Sequence, residues 1–128
     1  NRDNIEFART AASTLAQSTA RVLANGSSGS AADRAAAAAE LYPPLSTLSH
    51  YAGQVVPVCA GSPLEAAAAQ LEQAEKDATA SFLTMVSSVE KRAFTAALGQ
   101  LLMSATTARS RLTELERLRL KNSKMRRS

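Results

Sequence analysis

The sequence predicts an all-α protein: an antiparallel helical bundle of about four helices, its second helix broken at Pro43–Pro44 and its long C-terminal helix ending in a basic tail. Three observations carry this expectation. Apolar residues recur at spacings of three and four in successive segments, the period of one helix face. Alanine, the strongest helix former, supplies 27 of the 128 residues. No stretch alternates apolar and polar residues over a comparable length, and the segments between periodic runs are short, which suits up-and-down neighbours.

In the first segment Asp3 is placed to cap a helix, with Glu6 three positions on to return the bond. Ile5, Ala8, Ala12, Leu15, Thr19 and Val22 follow as one narrow stripe. The run NGSSGS (25–30) ends it, because Asn and Gly tolerate the left-handed conformation of a helix stop. Ser30 and Asp33 mark a second start before AADRAAAAAELY. Pro44 disfavours the α conformation at Pro43, and neither proline can donate a backbone hydrogen bond, so a break is expected there. Beyond it Leu45, Leu48, Ala52, Val55 and Val56 resume the stripe, with an extended end before Pro57 as the alternative.

SPLE (62–65) is the plainest start signal: Ser62 as cap, Pro63 at the first helical position, Glu65 closing the box. Leu64, Ala68, Leu71, Ala78, Phe82, Met85 and Val89 form the third stripe. No proline occurs from there to Leu120, so residues 63–120 form either one helix of nearly 85 Å at about 1.5 Å per residue or a hairpin. A narrow stripe must be covered by something, which favours a hairpin turning near Ser87–Ser88, where Ser87 and Glu90 offer another capping box. Phe94, Leu98, Leu101, Leu102, Ala105, Leu112 and Leu115 then line the fourth helix. Residues 1–120 read as one domain and 121–128 as a basic tail without apolar periodicity.

Composition narrows the function. An alanine-rich chain with only 4% aromatics has a thin core, so partner surfaces are expected to contribute to stability. One Cys and one His exclude an internal disulfide framework and the usual zinc ligand sets. No apolar run approaches the roughly 18 residues that span a bilayer, which leads to the expectation of an intracellular, soluble or peripheral protein. The first residue is Asn1 rather than Met, which fits a removed mitochondrial targeting peptide as well as a boundary of another origin. The net charge of +4 is uneven: Arg109, Arg111, Arg117, Arg119, Lys121, Lys124, Arg126 and Arg127 outweigh Glu114 and Glu116, and the rest of the chain is slightly acidic.

The stretch from Leu41 to Pro63 collects all four prolines, His50, Cys59 and both tyrosines. A Cys–His pair needs hydrogen-bond reach and an orienting group, yet Asp and Glu are missing from 41 to 62. A corner between helices, with Tyr42 and Tyr51 as a docking surface, is the reading preferred over a nucleophilic site. NGSSGS lacks the strand context of a phosphate loop and reads as a plain linker. EQAEKD (72–77) reads as a solvated helix face. The basic end suits nucleic-acid phosphates, an anionic membrane surface or an acidic patch on a protein, though it lacks aromatics for base stacking.

In its order of Ala/Ser/Thr-rich helices the chain resembles the talin and vinculin helical bundles and the focal-adhesion-targeting domain. The likeness runs through helix 1, the proline-marked helix 2, the connection VVPVCAGSP, and SSVEKRAFTAALGQLL opening helix 4. It implies an adaptor that binds short amphipathic helices in grooves between its own helices. The sequence as a whole leads to the expectation of a non-enzymatic structural or accessory subunit of a larger assembly, such as a mitochondrial complex. It would dock through apolar helix faces and its Arg-rich end, without cofactor, metal or small-molecule substrate. The adaptor and a ribosomal or RNA-associated protein are the alternatives.

Overall fold

The computed structural model describes residues 2–127, with side chains from Asp3 to Ser123. Among them the chain forms α1 (Arg2–Ala24), α2 (Ala31–Val58), α3 (Glu65–Ser87) and α4 (Lys91–Arg127), and no strand. Each helix packs on two others in the cyclic order α1, α2, α3, α4, and the diagonal pairs do not meet. Short connections make neighbours antiparallel, so the fold is a closed up-and-down bundle.

The stripes read from spacing are the core. Every stripe residue of α1 is buried, including Thr19, whose hydroxyl donates to the Leu15 carbonyl at 2.7 Å. Leu15, Leu41, Leu48, Leu71, Met85, Phe94, Leu98, Leu101, Leu112 and Leu115 are the large side chains sealed from solvent. Each contributes about 1.5–3 kcal/mol by burial. Of the third stripe only Val89 departs, lying 67% exposed in the turn between α3 and α4. That turn settles the choice between one long helix and a hairpin in favour of the hairpin.

Four local expectations are corrected. The first is the break at Pro43–Pro44: α2 continues through both prolines to Val58, which also removes the extended alternative at Val55–Val56. Neither proline supplies an N–H, so the carbonyls of Ala39 and Glu40 lose their usual donors. Those residues and Pro43 are exposed, on the side of the helix open to solvent, while buried Leu41 and Leu45 hold the helix on either side. Second, α3 begins at Glu65, two residues later than SPLE suggests. The Ser62 hydroxyl accepts from Leu64 N–H at 3.1 Å and donates to the Cys59 carbonyl at 2.6 Å. Glu65 reaches back to the Gly61 N–H, so the same residues close the turn before the helix rather than its first turn.

Third, Ser87 does not cap α4. Its hydroxyl donates to the Leu83 and Thr84 carbonyls and so finishes α3. Fourth, the tail expected to leave the bundle after Leu120 continues α4 as far as Arg127. No Gly or Pro follows Gly99 to stop it, and bidentate Arg117–Glu114 and Arg119–Glu116 pairs reinforce the helix one turn apart.

Candidate functional site

His50 and Cys59 stand nine residues apart on α2 and its cap, which is two and a half turns and about 13 Å of rise. They therefore point to opposite sides. His50 is exposed and packs edge-on against Tyr51, with ring centroids 4.8 Å apart. Cys59 is buried, and burial pushes its thiol above the ordinary range. The pair does not meet, and of the stretch read as a corner residues 41–58 are continuous helix, so that only the 59–64 connection turns the chain. Among the described residues no group of three or more His, Cys, Asp or Glu side chains converges as a metal site. Nor is any helix of the described chain long and apolar enough to cross a membrane.

The same spacing separates Tyr42 from Tyr51, so the docking surface expected from them is two surfaces. Tyr42 is 58% exposed on the α2–α3 seam and stacks on Phe82 with centroids 6.0 Å apart. Tyr51 is half-buried on the α1–α2 seam and stacks on Phe7 at 5.1 Å. Phe7, itself half exposed, lies off the α1 stripe, and a large aromatic on the outward side of a helix was the available signal for it.

Phe7 and Tyr51 form one wall of an open groove of about 430 Å³ between α1 and α2. Thr10, Ala11 and Thr14 line its α1 side; Pro43, Pro44 and Thr47 line its α2 side. No charged side chain lines it. Its small residues make a flat floor, and the prolines leave the Ala39 and Glu40 carbonyls without helical donors nearby. A second groove of about 340 Å³ runs between α3 and α4 past Gln70, Gln73, Asp77, Gln100 and the exposed Met103, and it is the more polar of the two.

The basic residues divide into three groups. Arg117 and Arg119 are engaged at 2.7 Å by Glu114 and Glu116 on their own helix. The guanidinium of Arg117 holds the Glu114 carboxyl below its usual range. Arg111 donates to Gln70 Oε1 at 2.8 Å and so ties α4 to α3, while Arg109 is half-buried. Lys121 is exposed; Lys124, Arg126 and Arg127 lie on the last turns of α4, and their side chains fall outside the described set.

Two expected bland regions are structured. NGSSGS connects α1 to α2 and is mostly exposed, but its Gly29 is buried against Phe94 and the Val89 carbonyl, and Asp33 Oδ2 accepts from the Ser28 N–H and hydroxyl. Within EQAEKD, Glu75 is half-buried and accepts from Ser49 of α2 and Thr79, so it joins two helices.

The class of object is thus an antiparallel four-helix bundle with one uncharged aromatic groove and one cationic end. No protein-family model, curated protein or solved structure matches the chain.

Proposed function

We propose that this protein is a non-enzymatic helical-bundle subunit of a larger protein assembly, and that it docks an amphipathic helix of a partner in the α1–α2 groove. The observation that carries the reading is the half-exposed Phe7 packed on Tyr51 over a floor of Thr10, Ala11 and Thr14. An open aromatic-walled groove without charge offers burial to Leu-, Ile- or Phe-sized residues repeated at i and i+4 on a helix. Exposed apolar area gathered along a groove marks an interaction surface, which singly exposed residues such as Leu83 and Val89 do not. The adaptor alternative uses the same groove and differs only in whether the isolated chain is self-sufficient.

The test is site-specific photocrosslinking in the native source, with the reactive group placed at Thr10, at Thr47, or at Gln73 of the α3–α4 groove. Thr10 and Thr47 are expected to capture the same helical segment of one partner, and Phe7→Ala is expected to lower the yield at least several-fold. Equal capture from Gln73, or capture indifferent to Phe7→Ala, would overturn the reading.

A further inference from the structure

We infer that the end of the bundle made by the 59–64 connection and the last turns of α4 is a docking surface for an anionic lipid bilayer. This is independent of the α1–α2 groove and rests on two features that meet at one end.

The first is charge. From Lys121 to Arg127 the chain carries Lys121, Lys124, Arg126 and Arg127 and no acid. Upstream, Glu114 and Glu116 are taken up by Arg117 and Arg119, so neither carboxylate offsets the cations that follow. The remaining acids at this end, Asp3, Glu6 and Glu65, are fewer than the cations, and Glu65 is engaged by the Gly61 N–H.

The second feature is apolar exposure in the same place. Residues 41–64 contain no Asp, Glu, Lys or Arg. At their end Val58 is 67% exposed, with Pro57, Ala60 and Pro63 also exposed, and Leu120 of α4 is 48% exposed. Val58, Ser62, Ile5, Arg119 and Asn122 line one small cavity of about 200 Å³, which fixes Asn122 level with the ends of the neighbouring helices. The five residues from Ser123 to Arg127 continue α4 by about 7 Å past that level.

A projecting cationic helix end beside exposed Val58 and Leu120 combines the two signals that hold a peripheral protein on a membrane: insertion of a little apolar surface and attraction to anionic headgroups. Residues 109–128 carry no aromatic side chain for base stacking, and the rings of Phe7 and Tyr51 are packed on each other rather than presented for it.

The experiment is co-sedimentation of the full chain with phosphatidylcholine vesicles, pure or with about one-third phosphatidylserine, at low and at physiological salt (about 0.15 M). Binding is expected only to the phosphatidylserine vesicles, falling as salt rises. Each cation removed from Lys121, Lys124, Arg126 and Arg127 by change to Gln is expected to lower partitioning about five-fold. Val58→Ser is expected to lower it a few-fold with the thermal melt unchanged, because the side chain is mostly exposed. The proposal is overturned by equal binding to both vesicle types, by no binding at low salt, or by a four-Gln variant that binds like the parent. It is equally overturned if single-stranded RNA displaces the vesicles while Val58→Ser has no effect, which would assign the cations to phosphate tracking.

Discussion

Arg34 sends its guanidinium in two directions: Nε donates to the Gly29 carbonyl at 3.1 Å and Nη1 to the Val86 carbonyl at 2.8 Å. It thereby joins the α1–α2 loop to the end of α3. Bonds from a charged donor contribute about 1.5–3 kcal/mol, so Arg34→Ala is expected to destabilise by about that amount, with Arg34→Lys recovering part of it because one ammonium cannot reach both acceptors as a planar fork does. Thermal melts followed by circular dichroism check both. Beside it, Asp33 is held below its usual carboxyl range, chiefly by the Ser28 hydroxyl and then by the Ser28 N–H. A depressed folded-state value means that Asp33 stabilises the fold above the unfolded carboxyl value and that this contribution disappears as pH falls through the folded one. The midpoint temperature is therefore expected to drop from about pH 4 downward. Asp33→Asn should flatten that part of the profile; an unchanged slope would remove the assignment.

At the scale of the element, α2 carries two prolines in its interior and remains helical. Interior proline costs about 3 kcal/mol, less the 0.4–1 kcal/mol it saves by stiffening the unfolded chain. Pro43→Ala with Pro44→Ala is expected to raise stability by up to about 4–5 kcal/mol, measured by urea titration, while eroding the wall of the α1–α2 groove. The two glycines of the preceding loop make a graded pair. Both have positive φ, but a Cβ at Gly26 would enter open space, whereas one at Gly29 would stand 3.2 Å from Phe94 Cβ and from the Val89 carbonyl. Gly29→Ala is expected to destabilise by more than 1 kcal/mol and by more than Gly26→Ala in the same melts.

These elements also mark the limits of what could be read beforehand. Stripes such as Leu71, Ala78, Phe82 and Met85 were legible because spacing alone decides which side of a helix is covered. The run Ala35–Ala39 was not: Ala37 is buried and Ala36 exposed, and identical side chains carry no signal of side. The break at Pro43–Pro44 failed because local propensity was outweighed by Leu41 and Leu45 packed on either side. Arg34 was invisible because its acceptor on Val86 lies 52 residues away. The groove was half legible: Tyr51 was singled out, but its partner Phe7 lies on another helix and became meaningful only once α1 met α2.

For the whole molecule, four helices share one continuous core, so unfolding is expected to be a single cooperative transition. Both tyrosines sit on α2 and report on opposite seams, which makes tyrosine fluorescence a probe of two interfaces at once. Its denaturation midpoint is expected to coincide with that of helical circular dichroism; separate midpoints would mean that the α1–α2 and α2–α3 seams open independently. The bridge made by Arg34 has a consequence at this scale as well. Both connections at one end, 25–30 and 88–90, are drawn together through Arg34 and Gly29, while the 59–64 connection at the other end is held by bonds within itself. The bundle is therefore lopsided in its resistance to fraying. Of the two ends, the hydrogen-bonded amides beside Arg34, such as those of Arg34 and Phe94, should exchange with deuterium more slowly than those around Cys59 and Leu120, so that the molecule opens like a clasp whose hinge is set at the Arg34 end.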